Sequence, residues 1–211
     1  MRAVFCLLAR FTIWNDRTEG VSARMTDEEN LVQRVRYDPD AFRELYQHYF
    51  PRVYAYVAYR VRRAQDAEDV VAEVFMQAVR GWSRFEYRGD GSLAAWLFRI
   101  AHNQVSQFYR QHHIGDEPLS LDELPEIGAH QLAPDSAMLR KEQFADLSAR
   151  IAALPPRRRD IITLKFFAGL RNQEIARVLN LDERTIASHL SRALADLRRQ
   201  YQPEEEEPYD G

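Results

Sequence analysis

Residues 170–199 read LRNQEIARVLNLDERTIASHLSRALADLRR, and their spacing sets the frame for the rest of the chain. Ile175, Ala176, Val178 and Leu179 make an apolar face at helical spacing. After Leu181 a second amphipathic run puts Ile186, Leu190, Ala193, Leu194 and Leu197 on one side. Only about three residues separate the two runs, as in a helix-turn-helix. Asn180 tolerates the left-handed backbone that ends many helices, and Asp182 suits the N-cap of the second. That second helix would expose Arg184, Thr185, Ser188, His189 and Arg192, donors short enough to reach base edges and phosphates in a major groove. An ordinary helical hairpin with a solvated charged face fits the same spacing.

Composition narrows the classes. With 211 residues, 45% of them hydrophobic, the chain has material for one large or two small domains, each able to bury a core. Cys6 is the sole cysteine, which excludes an internal disulfide framework and a cysteine-rich zinc site, and points to a reduced, cytoplasmic compartment. The net charge of −3 looks wrong for a nucleic-acid binder until it is counted by segment. Residues 140–201 hold 13 Lys or Arg against 7 Asp or Glu, whereas 25–111 balance at 12 each. Residues 112–139 carry six acids and 202–211 five, with no Lys or Arg in either. The basic charge coincides with the helix-turn-helix.

Residues 1–24 contain a short apolar run, Ala3 to Ala9, which Arg10 interrupts well short of a membrane span. We read them as a disordered extension without a targeting signal, with helical pattern starting near Met25 and Thr26 as an N-cap candidate. Phe42, Leu45, Tyr46, Tyr49, Val53, Tyr54, Val57 and Val61 recur at threes and fours around Pro51, predicting a core helix pair or one kinked helix. From Asp66 to Trp82, Ala67, Val70, Val71, Val74, Phe75 and Ala78 line one helix face. Asp69, Glu73 and Gln77 fall at i, i+4 steps on another, an acidic stripe that a solvated face would also explain. A polar loop from Phe85 to Gly91 follows, and Ser92 is the expected cap of a third long helix. There Leu93, Trp96, Leu97, Ile100, Ala101, Val105 and Phe108 face a core and Arg99, His102, Asn103, Gln107 and Arg110 face away. Aromatics beside Arg and Asn suit unstacked bases, though most of these aromatics belong to the core. His112 and His113 lack a third ligand at metal spacing, so neither a metal nor another cofactor is expected.

Taken in order, DAEDVVAEVF, GSLAAWLFRIAHN and ALPPRRRDIITLKFFAGL with the helix-turn-helix resemble the extracytoplasmic-function (ECF) sigma factors of bacterial RNA polymerase, over about Leu31 to Leu197. The resemblance implies that Asp66, Asp69, Glu73 and Gln77 bind the polymerase core. It implies that Arg88, Ser92, Arg99, His102, Asn103 and Arg110 engage the minus-ten element, with a flipped base held at the Phe85 to Ser92 loop. It gives the minus-thirty-five element to Arg184, Thr185, Ser188, His189 and Arg192. The implied partners are core RNA polymerase and promoter DNA, with an anti-sigma factor as an optional third and no membrane insertion. The chain departs from the family at Arg171, where a capping Ser is usual, at Asn180, usually Gly, and at Ala187 and Gln104, often basic.

The expected architecture is all-α: a disordered extension 1–24, a core-binding and minus-ten helical domain 25–111, a flexible acidic linker 112–139, a helix-turn-helix domain 140–201 and an acidic tail 202–211. A linker of that length spans ~30 Å on average and ~90 Å at full extension. It reaches two or more duplex turns of about 34 Å. A stand-alone helix-turn-helix regulator is the alternative, but leaves the helices between Asp66 and Phe108 without a purpose. A hydrolase lacks its GxSxG, HExxH or phosphate loop.

Overall fold

The computed structural model describes residues 28–61, 63–112 and 134–201, and the expectations for 1–24, Thr26, most of the linker and the acidic tail lie outside them. The described residues form an all-helical fold. In the first half α1 spans Glu28–Arg34, α2 Pro39–Arg60, α3 Ala64–Gly81 and α4 Ser92–His112, with a single 3₁₀ turn at Trp82–Arg84 after α3. In the second, α5 spans Pro134–Ala152, α6 Pro156–Phe166, α7 Asn172–Leu179 and α8 Glu183–Tyr201. Among the described residues no helix is long and apolar enough to cross a membrane. Helix α5 begins inside the expected linker, with Pro134 at its first position, where a fixed φ and a missing N–H cost nothing.

Local chemistry explains most boundaries. Asp38 accepts the Asp40 N–H at 2.9 Å to start α2, which then runs unbroken through Pro51 as one helix. Asn180 takes φ 53 and ψ 52 to end α7, as its short polar side chain allows. Asp182 precedes α8, where its carbonyl accepts the Ile186 N–H at 3.1 Å and its carboxylate the Thr185 hydroxyl at 3.1 Å.

The start of α4 departs from the sequence reading. The Ser92 side chain is turned back, its hydroxyl accepting the Arg88 N–H at 3.2 Å, and does not cap the helix. The cap comes from 63 residues away in sequence: buried Glu28 accepts the N–H groups of Gly91 at 2.8 Å and Leu93 at 2.7 Å. A carboxylate there satisfies two orphan donors and opposes the positive end of the helix dipole, so it serves better than a hydroxyl.

Two helical groups are present, and they are packed face to face. The main core joins Leu45, Val53, Tyr56, Val74, Leu93, Leu97 and Phe98 of the first half to Ile161, Leu164, Ile175, Leu179 and Ile186 of the second. A smaller core gathers Leu147, Ile151, Ile162, Ala193 and Leu197 around Tyr59 of α2, whose ring stacks on Phe167 with centroids 3.8 Å apart. Each fully buried side chain of this size contributes ~1.5–3 kcal/mol, against ~0–1 for an exposed ion pair such as Arg34–Glu44. Apolar packing therefore decides the arrangement. One polar pair inside it has weight of its own: Arg60 to Asp160 at 2.6 Å, both side chains largely buried, where losing one partner strands a charge.

Replacing Glu28 with Ala should lower stability by ~2 kcal/mol in a urea titration, the scale for losing a charged N-cap. A loss under ~0.5 kcal/mol, the size of a surface change, would mean the cap is not what holds the start of α4.

Candidate nucleic-acid interface

The cap on α4 fixes a loop and a cavity. Gly89 and Gly91 take positive φ values of 88° and 72°, which turn the chain from the 3₁₀ segment into α4 and which side-chain-bearing residues rarely adopt. Under this loop lies a cavity of about 590 Å³ lined by Arg84, Phe85, Glu86, Arg88, Ser92, Ala95, Trp96, Arg99 and Arg177. The Phe85 and Trp96 rings meet there with centroids 4.8 Å apart, and Trp82 backs Trp96 at 5.7 Å. Aromatic walls under a rim of guanidinium groups can stack an unpaired base and hold its phosphate.

The expected minus-ten residues separate along α4. Arg88 stays exposed and pairs with Glu86 at 2.9 Å. Ser92 is buried, its hydroxyl held by the Arg88 amide. Arg99 is exposed and donates to the Arg177 carbonyl across the interface. His102 turns partly inward, its Nδ1 at 3.2 Å from the Tyr56 hydroxyl, and burial lowers its pKa below the ordinary value, so the ring is neutral near pH 7. Asn103 and Arg110 are exposed farther along the helix. Trp96 packs against the core, as its spacing predicts, and also lines the cavity beside Phe85 of the expected base-holding loop; Arg84 and Arg177 are the lining residues that the sequence reading does not single out.

On the other side of the first half, Asp66, Asp69, Glu73 and Gln77 line one groove of about 300 Å³, as their spacing on α3 requires. Its opposite wall is α4, which contributes Gln104, Gln107, Phe108, Gln111 and His112. The amide-rich wall was not foreseen, because nothing in the sequence says which face of α4 meets α3. Gln77 donates to Glu73 at 3.1 Å and Arg80 lies 3.6 Å from the same oxygen, an exposed pairing that leaves the groove acidic.

In the helix-turn-helix, Arg184, Ser188 and Arg192 project from one exposed face of α8 at i, i+4 and i+8. Thr185 and His189 are half-buried beside it, Thr185 committed to Asp182. Ile186, Ala193 and Leu197 anchor the opposite face. Arg171 cannot accept a hydrogen bond as a Ser would. Its guanidinium instead pairs with buried Glu174 at 2.9 Å, and Glu174 accepts the Arg171 backbone N–H at 2.7 Å, keeping one side of a capping box.

Both halves of the chain match known protein families. The Sigma-70 region 2 family matches residues 45–113 and the Sigma-70, region 4 family residues 144–197. The ECF RNA polymerase sigma factor BldN of Streptomyces coelicolor is 33% identical over 179 residues, 84% of this chain and 66% of that one. The ECF RNA polymerase sigma-E factor of Escherichia coli is 31% identical over 191 residues, 87% of this chain and 98% of that one. The chain belongs to the ECF RNA polymerase sigma factors. The fold of this sigma factor also matches that of RpoE from Bartonella quintana, solved in complex with the anti-sigma factor NepR, at TM-score 0.58 and 21% identity over 76% of this chain and 96% of that one. Sigma factors are transcription initiation factors, a class that acts by binding.

For this sigma factor, reversing Asp69 and Glu73 together to Lys should weaken binding to core polymerase about tenfold or more while the melting temperature stays close to that of the parent, since exposed substitutions change stability by less than about 0.5 kcal/mol. Unchanged affinity in a cooperatively melting double variant would show that the acidic groove is only a solvated face.

Proposed function

We propose that residues 25–111 anchor the factor to core polymerase and capture the minus-ten element, that 112–139 act as an acidic tether, and that 140–201 read the minus-thirty-five element, with 1–24 and 202–211 as flanking segments. Asp66, Asp69, Glu73 and Gln77 meet a basic surface of the polymerase. Arg88, Arg99, Asn103 and Arg110 follow the backbone and bases of the opened strand along α4, with Ser92 and His102 supporting them from beneath. Arg184, Ser188 and Arg192 lie in the major groove, with Thr185 and His189 at the groove edge.

The observation that carries this reading is the cavity walled by Phe85 and Trp96 at the loop before α4. Stacking a base on such a platform is worth ~1–3 kcal/mol and needs no particular sequence. It suits capture of a strand as it separates. A regulator that only gripped duplex DNA would have no use for it, which disfavours the stand-alone helix-turn-helix alternative. The factor contributes no covalent chemistry, works in the cytoplasm, and by analogy with RpoE and NepR accepts an anti-sigma protein as a third partner.

Core polymerase reconstituted with this chain should initiate from a defined subset of promoters in a random library, whereas core alone should not. Binding to duplex DNA with no polymerase-dependent initiation would favour the stand-alone regulator. On a promoter so selected, Arg192→Ala should weaken binding on cognate and unrelated sequences alike and reduce the salt slope by about one unit, the mark of a lost phosphate contact. An unaltered slope would mean that α8 is oriented differently on the duplex.

A further inference from the structure

The candidate base-reading side chains of α8 are not held alike. Ile186, Ala193 and Leu197 are buried along one stripe of the helix, and His189 stands at its edge, between the first two. A helical side chain leans back over the preceding turn, so the His189 ring lies half-buried against that stripe while Arg184, Ser188 and Arg192 stand exposed. Its Nδ1 is buried and has no hydrogen-bond partner among the described residues, which leaves Nε2 as the ring nitrogen that a ligand can reach. A neutral imidazole carries one proton, on one nitrogen or the other. On Nδ1 it would be a buried donor without an acceptor; on Nε2 it meets solvent, and only a buried lone pair goes unpaired. Orphaned buried donors are rarer than orphaned acceptors in folded proteins, so the packing favours the Nε2–H form. One turn earlier Thr185 is committed differently: its hydroxyl donates to the Asp182 carboxylate at 3.1 Å, which spends its hydrogen and leaves a methyl and lone pairs.

We propose that His189 is a specificity-determining residue that reads guanine in the minus-thirty-five element, through an Nε2–H donor set by the burial of its other ring nitrogen. This rests on the major-groove reading of α8 given above. Guanine presents two acceptors, N7 and O6, on its major-groove edge, so a fixed donor is satisfied anywhere along it. Adenine sets an amino donor beside N7, cytosine offers an amino donor, and thymine has one acceptor beside a methyl. The neighbouring side chains discriminate less. Thr185 has no hydrogen left to give, and the Ser188 hydroxyl rotates to donate or to accept. Arg184 and Arg192 are exposed on long stems that serve phosphate as well as bases. A ring held along one edge also loses little freedom on binding, whereas each exposed arginine must first be ordered.

The test uses the full chain on core polymerase, with promoters selected from a duplex library randomised across the minus-thirty-five element. The parent should select guanine at one base pair where His189→Ala shows no preference, while the choices at the other positions persist. Replacing that guanine should weaken the parent about tenfold, the scale of one good base contact, and scarcely affect His189→Ala. His189→Gln, whose amide offers a donor and an acceptor together, should turn the preference from guanine to adenine. In the free parent chain a long-range proton–nitrogen correlation spectrum of the His189 ring, recorded at about pH 8 where histidine is ordinarily neutral, should place the hydrogen on Nε2. A guanine preference that survives His189→Ala, an element selected without guanine, or a ring protonated on Nδ1 would each overturn the proposal. Should His189→Ala not melt cooperatively, His189→Gln and the ring spectrum decide alone. A parent that selects no base at any position of the element would instead fail the major-groove reading of α8, and the base assignment with it.

Discussion

Helix α4 is packed on two faces, and the rest of the structure depends on that. From Leu93 to Phe98 five of six side chains are buried and Trp96 is partly so, because α2 and α3 cover one side and α7 the other. A helix that is apolar all round is stable only when enclosed, so LAAWLF requires a second covering surface as well as a first. Glu28 then fixes where this helix starts and hence where the loop and cavity before it lie.

Much of this was legible in the sequence. The apolar periods located α2, α3, α4, α7 and α8, and Asn180 marked the turn because few side chains accept its backbone angles. Asp66, Asp69, Glu73 and Gln77 line one groove because steps of three and four residues keep side chains on one helix face. What failed were relations between distant segments. Ser92 looked like a cap by local rules, but a carboxylate brought by α1 outcompetes a hydroxyl for amides at a positive helix end. Ala94, Ala95 and Phe98 were not assigned to the core because one-sided amphipathicity was assumed; their partner surface is more than sixty residues away. Trp96 shows a further limit, since a half-buried aromatic at helical spacing reads the same whether it fills a core or walls a cavity.

The polar contacts across the interface differ in kind, and the difference bears on how it could open. Arg60 and Asp160 are largely buried, so separating them requires both charges to be rehydrated together. Burial shifts the Tyr56 and Tyr59 hydroxyls above their ordinary range, leaving them neutral beside this pair. At the cavity edge Arg99 is exposed and Arg177 half-buried, and each donates to a main-chain carbonyl of the other half. The halves are thus joined by a buried ion pair along α2 and by more accessible cation–carbonyl contacts along α4.

The most direct measurement of the whole account is the distance between the two halves in solution. Spin labels at Gln47→Cys on α2 and Ala195→Cys on α8, both exposed positions, in a chain carrying Cys6→Ser, report it by pulsed electron resonance. One narrow distance is expected for the free factor and a longer one on core polymerase. A broad distribution in the free chain, or the same distance before and after polymerase binds, would contradict it.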